Sequence, residues 1–130
     1  MSESNSKNKI IAVMDDMFFS SKIREAAKPF GLNIEFVKNT DGLIENIESQ
    51  KPSLLIFDLN SKVCNSTEII RNLKSSPTLK DIPVLGYLSH VQMELKEEAD
   101  KAGCDLVLPR SKFSKDLKEI LAKHSTGMRK

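Results

Sequence analysis

The chain has 130 residues, 39% of them hydrophobic and 29% charged, with a net charge of +2. That is the size of one domain that buries a core without disulfides or structural metal, and the composition is globular rather than disordered. Lysine and arginine are scattered and cluster only at the very end, which excludes the concentrated basic face of a nucleic-acid-binding surface; no apolar run nears the ~20 residues of a membrane span.

The elements follow in chain order. Residues 1–8 are polar, lack the apolar segment of a signal peptide and are expected to form a flexible tail. Lys9 to Met14 is an unbroken apolar run after its first lysine, a buried strand that ends on Asp15-Asp16. Apolar residues at Phe19, Ile23, Ala26, Ala27 and Phe30 then repeat at helical spacing from Phe18 to Phe30, and Pro29 and Gly31 end the helix. Asn33 to Lys38 alternates, as a strand at a sheet edge does. Asn39-Thr40-Asp41 is turn and cap chemistry for a short helix through Leu43, Ile44 and Ile47.

Leu54-Leu55-Ile56-Phe57-Asp58 is the clearest segment. Four apolar residues run without a break and stop at a carboxylate, the pattern of a central strand buried on both faces. After a loop from Ser61 to Asn65, Ser66 or Thr67 is the expected cap of a helix carrying Ile69, Ile70 and Leu73. Val84 to Leu88 is a fourth strand. Val91 to Ala102 is a helix with a thin stripe of Val91, Leu95, Ala99 and Ala102, ended by Gly103. Leu106-Val107-Leu108 is a fifth strand, closed by Pro109-Arg110-Ser111. Ser114 is the expected cap of a last helix with Leu117, Ile120 and Leu121. Residues 125–130 are expected to form a second flexible tail, leaving one domain over residues 9–124.

Strand and helix thus alternate five times, which predicts right-handed crossovers and a parallel sheet. The expected architecture is α/β, a flavodoxin-like (βα)5 doubly wound, five-stranded parallel sheet of order 2-1-3-4-5. In that order the first and third strands are neighbours, so Asp15, Asp16 and Asp58 converge at one sheet edge. Like charges there call for a cation. Mg2+ takes carboxylate oxygens, a backbone carbonyl and waters, and a cation would let a phosphoryl donor approach Asp58, which can then act as a nucleophile. The simpler alternative is that these acids only cap helices and loops.

With Asp15-Asp16, Asp58, Ile82-Pro83-Val84 and Ala102-Gly103-Cys104-Asp105 in hand, the chain resembles the receiver domain of two-component response regulators, in the single-domain, chemotaxis-type form, over about Lys9 to His124. The resemblance implies that Asp58 is the phosphoacceptor, that Asp15, Asp16 and Asp58 hold Mg2+ together with the backbone carbonyl of Asn60, and that a histidine kinase or phosphotransfer protein supplies the phosphoryl group. It implies output through contacts with an unknown downstream protein, a cytoplasmic location, and no enzymatic activity beyond Mg2+-dependent phosphorylation and dephosphorylation of Asp58.

The resemblance is incomplete at the switch. The Thr or Ser expected at the end of strand four is Leu88, with Ser89 one residue late; a bulge would present Ser89 as a substitute hydroxyl. The expected Lys after strand five is Arg110, followed by Ser111 instead of Pro, and this exchange is not conservative. Pairing of Arg110 with Asp58 is the expectation for the unphosphorylated protein. The aromatic residue of strand five is Val107. These departures support an alternative, a phosphorylation-independent pseudo-receiver acting as an interaction module. A nucleotide- or flavin-binding enzyme is disfavoured, because Asp-Asp-Met-Phe-Phe after strand one has no glycine to cradle a phosphate.

Cys64 and Cys104 have no CxxC partner and are expected to be reduced, apolar filler. His90 and His124 lack partners at ligand spacing, so neither is expected to bind metal. Tyr87, mid-strand, is expected in the core or an interface rather than in a switch.

Overall fold

In a computed structural model, residues 9–38, 40–61, 65–89 and 93–124 are described. The expected tails, Asn39, Cys64, His90 and the Val91 start of the fourth helix lie outside them. The order is β1 (Lys9–Val13), α1 (Met17–Ala27) with a 3-10 turn at Lys28–Phe30, β2 (Asn33–Val37), α2 (Leu43–Gln50), β3 (Leu54–Asp58), α3 (Ser66–Lys74), β4 (Val84–Leu88), α4 (Met93–Ala102), β5 (Leu106–Pro109), α5 (Arg110–Lys115) and α6 (Leu117–Lys123). All strand pairs are parallel, in the order β2-β1-β3-β4-β5.

Alternation along each strand explains why the runs are apolar throughout. Ile11, Val13, Leu55, Phe57, Val84 and Leu88 face one layer, closed by Leu43 and Ile47 of α2, Ile70 and Leu73 of α3, and Ala99 and Ala102 of α4. Ile10, Ala12, Leu54, Ile56, Leu85 and Tyr87 face the other, closed by Phe19 and Ile23 of α1, Phe113 of α5, and Leu117 and Leu121 of α6. A parallel sheet covered on both faces needs apolar side chains at every position. Gly86 leaves room for Leu59, whose side-chain atoms lie 2.8–3.0 Å from where a Cβ would stand, and Gly31 ends the 3-10 turn at φ +66°.

The Ala-Gly-x-Asp turn has a local reason. One Asp105 oxygen accepts from the Val84 N–H and from the Lys74 ammonium, both at 2.8 Å, and Lys74 also donates to the Lys80 and Ile82 carbonyls. This cluster ties the end of α3 to the starts of β4 and β5.

Several local expectations are corrected. The N-cap position of α2 is Gly42, in the left-handed region, one residue past the expected Asn39-Thr40-Asp41 stretch. Asn65, also left-handed, precedes α3; Ser66 lies inside the helix, buried, with its hydroxyl donating to the Asp58 carbonyl at 2.9 Å. Pro109 completes β5 and Arg110 opens a helix rather than ending a strand. Ser114 caps nothing: it lies within α5, and the last helix starts after a break at Asp116. Its hydroxyl accepts from Lys22 of α1 at 3.0 Å instead.

Candidate functional site

The carboxyl ends of β1 and β3 lie side by side, with Val13 opposite Phe57. Asp15 and Asp16 follow β1 and Asp58 ends β3, so the crevice that the topology places at the strand-order reversal is lined by acids. Asp58 is half-buried; one of its oxygens accepts from the Asn60 N–H at 2.9 Å. Burial pushes its pKa above the ordinary carboxylate value, the Asn60 bond opposes that shift, the charges of Asp15 and Asp16 add to it, and Arg110 opposes it. Asn60 therefore acts on Asp58 through a hydrogen bond, and the three charged neighbours act through space.

The three acids are not equivalent. Asp15 is exposed, and its carboxylate has no hydrogen bond or ion pair among the described residues. Asp16 is committed twice. One oxygen caps α1, accepting from the Phe19 N–H at 3.1 Å; the other pairs with the Arg110 guanidinium. The expected partner of Arg110 was Asp58; the structure gives it Asp16. The reason is positional: Arg110 begins α5, which with α6 packs on the α1 side of the sheet, and its guanidinium lies 4.9 Å from the centre of the Phe19 ring. The Phe19 ring face beneath it and the Asp16 carboxylate hold the planar group.

Among the described residues no group of three or more carboxylate, imidazole or thiolate side chains is arranged to hold one metal ion. The three acids expected to share one notch are therefore not grouped as a ready-made cation cage, and Asp16 has two partners of its own. Asp15 and Asp58 keep the donor chemistry that suits Mg2+, which commonly takes one or two carboxylates and retains waters. Their mutual repulsion, felt at Asp58, is what a cation relieves.

The switch positions also differ from expectation. Strand four does not bulge: Tyr87 pairs with Asp58 on one side and Leu108 on the other, and Leu88 pairs with Pro109. Leu88 is 1% exposed and turns into the core with Leu59 and Phe57, away from the pocket. Ser89 follows the strand end. Its N–H and its hydroxyl both donate to the Asn60 side-chain oxygen, at 2.6 and 3.0 Å. Asn60, expected to act through its backbone carbonyl, thus has a second role that sequence did not reveal: its side chain joins the loops after β3 and β4. An Asn two positions past the strand-ending acid is the signal that was available.

Tyr87 is buried in an aromatic cluster with Phe19 and Phe113 and donates to the Met14 sulfur at 3.9 Å. Cys104 is a buried free thiol whose pKa burial pushes up to about 11, which keeps it unreactive. His124 ends α6, and its carbonyl accepts from the Ser53 hydroxyl.

No family model matches this sequence. Over 92 residues it is 30% identical to the response regulator Rcp1 of Synechocystis, a match spanning 64% of this chain and 63% of that protein. The phosphorylated cyanobacterial phytochrome response regulator RcpA superimposes with a TM-score of 0.74 at 21% identity, over 88% of each chain. The receiver domain of the sensor histidine kinase PA1611 of Pseudomonas aeruginosa, with a magnesium ion in its active-site cleft, superimposes with a TM-score of 0.76 at 16% identity, over 89% of this chain and 95% of that one. At these identities the structural likeness speaks for the fold.

Proposed function

We propose that this chain, which has the receiver fold of response regulators, takes a phosphoryl group on Asp58 and signals through protein contacts. The observation that carries the reading is the setting of Asp58: a half-buried carboxylate at the carboxyl end of the central strand, repelled by two neighbouring acids and attracted by one arginine. A carboxylate so placed is open to the crevice and short of counter-charge. The phosphorylated state of RcpA and the magnesium of the PA1611 receiver support extending the reading to chemistry.

In the proposed reaction an ionised Asp58 oxygen attacks the phosphorus of a phosphohistidine on a histidine kinase or phosphotransfer protein. The new O–P bond forms as the P–N bond breaks, and the imidazole leaves with a proton from solvent. Asp15, Asp58 and the Asn60 backbone carbonyl are the groups that would hold Mg2+, with Asp16 joining once Arg110 withdraws. The ion supplies positive charge against the phosphoryl oxygens. Arg110 is near enough to act on Asp58 electrostatically and has the fork geometry to hold a phosphoryl oxygen pair. The protein has no further catalytic activity in this reading, and it acts in the cytoplasm. No described helix is long and apolar enough to cross a membrane.

A second reading, a phosphorylation-independent interaction module, is favoured by one observation: Asp16 is already paired with Arg110. Incubation with acetyl phosphate and Mg2+ separates the two. A phosphoryl mass that hydroxylamine removes, and that Asp58→Asn abolishes, supports phosphotransfer. An unmodified natural protein supports the interaction module.

A further inference from the structure

Ser66 is the polar member of an apolar stripe. It is 3% exposed and shares the buried side of α3 with Ile70 and Leu73. Alanine is the better helix former, and a buried hydroxyl costs free energy unless it finds a partner. The Ser66 hydroxyl finds one at the exit of the central strand, donating to the backbone carbonyl of Asp58 at 2.9 Å. The same carbonyl accepts from the Ser61 N–H at 3.3 Å, which closes a four-residue turn from Asp58 to Ser61. The Asp58–Leu59 peptide is trans, so its carbonyl and its N–H point in opposite directions. On the far side the Leu59 N–H donates to the Tyr87 carbonyl of β4 at 3.0 Å. One rigid plane is thus gripped at both ends, by a side chain of α3 and by the backbone of β4. The turn that starts from this plane brings the Asn60 N–H within 2.9 Å of an Asp58 carboxylate oxygen.

We propose that Ser66 is a positioning residue for the chemistry at Asp58: its hydroxyl locks the Asp58–Leu59 peptide plane, and that plane sets the aim of the Asp58 carboxylate and of the Asn60 N–H beside it. The inference rests on the reading that Asp58 accepts a phosphoryl group. A peptide plane joins its neighbours through soft backbone torsions, so a plane free to rock carries the Asn60 N–H off its oxygen. Attack on phosphorus needs a carboxylate oxygen in line with the bond that breaks, and rocking lowers the fraction of time spent in that aim. Ser66 acts through the backbone of the reacting residue and not on the phosphoryl group itself.

The test compares Ser66→Ala, Ser66→Thr and Ile70→Val with the natural protein. Ile70→Val thins the same buried stripe without removing a hydrogen bond. Two quantities are read: the initial rate of phosphoryl-mass gain with saturating acetyl phosphate and Mg2+, and the proton shifts of the Leu59 and Asn60 amides in isotope-labelled protein without donor. The expected result for Ser66→Ala is a rate about three- to tenfold lower, the fold-change that one hydrogen bond is worth, with both amide protons moved upfield as their bonds lengthen. Ser66→Thr should restore the rate and the shifts, and Ile70→Val should change neither. Ser66→Cys, a weak donor, replaces Ser66→Ala if that variant does not fold. A natural rate with natural shifts in Ser66→Ala overturns the inference and leaves the phosphotransfer reading intact. Equal slowing in Ile70→Val, or no rescue by Ser66→Thr, overturns it as well. A lower rate with unmoved amides overturns the link through the peptide plane. Moved amides in Ser66→Ala, with no adduct on the natural protein, support the clamp and overturn the phosphotransfer reading.

Discussion

Ser89 gives both of its donors, N–H and hydroxyl, to a single acceptor, the side-chain oxygen of Asn60. The hydroxyl one residue past the strand is thereby held on the loop after β3. Ser89 is exposed, so Ser89→Ala should cost only about 0.5–1 kcal/mol, the net worth of one neutral hydrogen bond. Asn60→Ala should cost more, because it removes the acceptor of both donors. Urea denaturation of the two variants checks the order; a larger loss for Ser89→Ala would contradict it.

Leu88→Thr should not restore a switch hydroxyl. The Leu88 side chain sits in the core, so the substitution buries a hydroxyl and removes apolar volume. The expected loss is about 2–4 kcal/mol of stability, with no gain in the lifetime of an acetyl-phosphate adduct. A stable variant with a longer-lived adduct would show that strand four can shift.

Asp58→Asn should stabilise the protein at neutral pH. The folded pKa of Asp58 is raised, so folding binds its proton more tightly than the unfolded chain does. The stability linked to that proton is fully present below the unfolded pKa and is lost as pH rises through the folded pKa. The gain from Asn is therefore largest above the folded pKa and disappears on acidification below the unfolded one. Thermal melts of both proteins across that range measure it; a gain independent of pH would assign the effect to something other than charge.

Asp16 has two roles that substitutions can separate. Asp16→Asn keeps an oxygen for the Phe19 N–H and loses the ion pair, which is partly exposed on both sides and should cost at most about 1 kcal/mol. Asp16→Ala loses the helix cap as well, for about 1 kcal/mol more. Equal losses in the two variants would mean that the cap contributes nothing.

Gly86→Ala should destabilise by about 1–3 kcal/mol, the usual range for overpacking. Its added Cβ meets the buried Leu59 side chain. Gly86→Ala combined with Leu59→Ala should recover part of the loss, measured by chemical denaturation. Strict additivity of the two losses would exclude the contact as the cause.

Much of the fold was legible because burial on both faces leaves a plain trace. Leu54–Phe57 and Ile10–Val13 are apolar at every position, and a carboxylate marks each exit. Helix entrances were less legible. Thr40-Asp41 and Ser66-Thr67 look like caps, yet left-handed Gly42 and Asn65 open those helices. Several polar residues in a row each satisfy the same cap preference, and the path of the chain chooses among them.

The candidate site divides in the same way. The order of the residues by itself determined that the chain alternates strand and helix and that acids stand at the exits of the first and third strands, since periodicity and strand exits are local properties. Only the tertiary structure decided which charges meet. Arg110 reaches Asp16 rather than Asp58, and Ser89 reaches Asn60, because those pairs lie 94 and 29 positions apart and are joined only by how the layers pack.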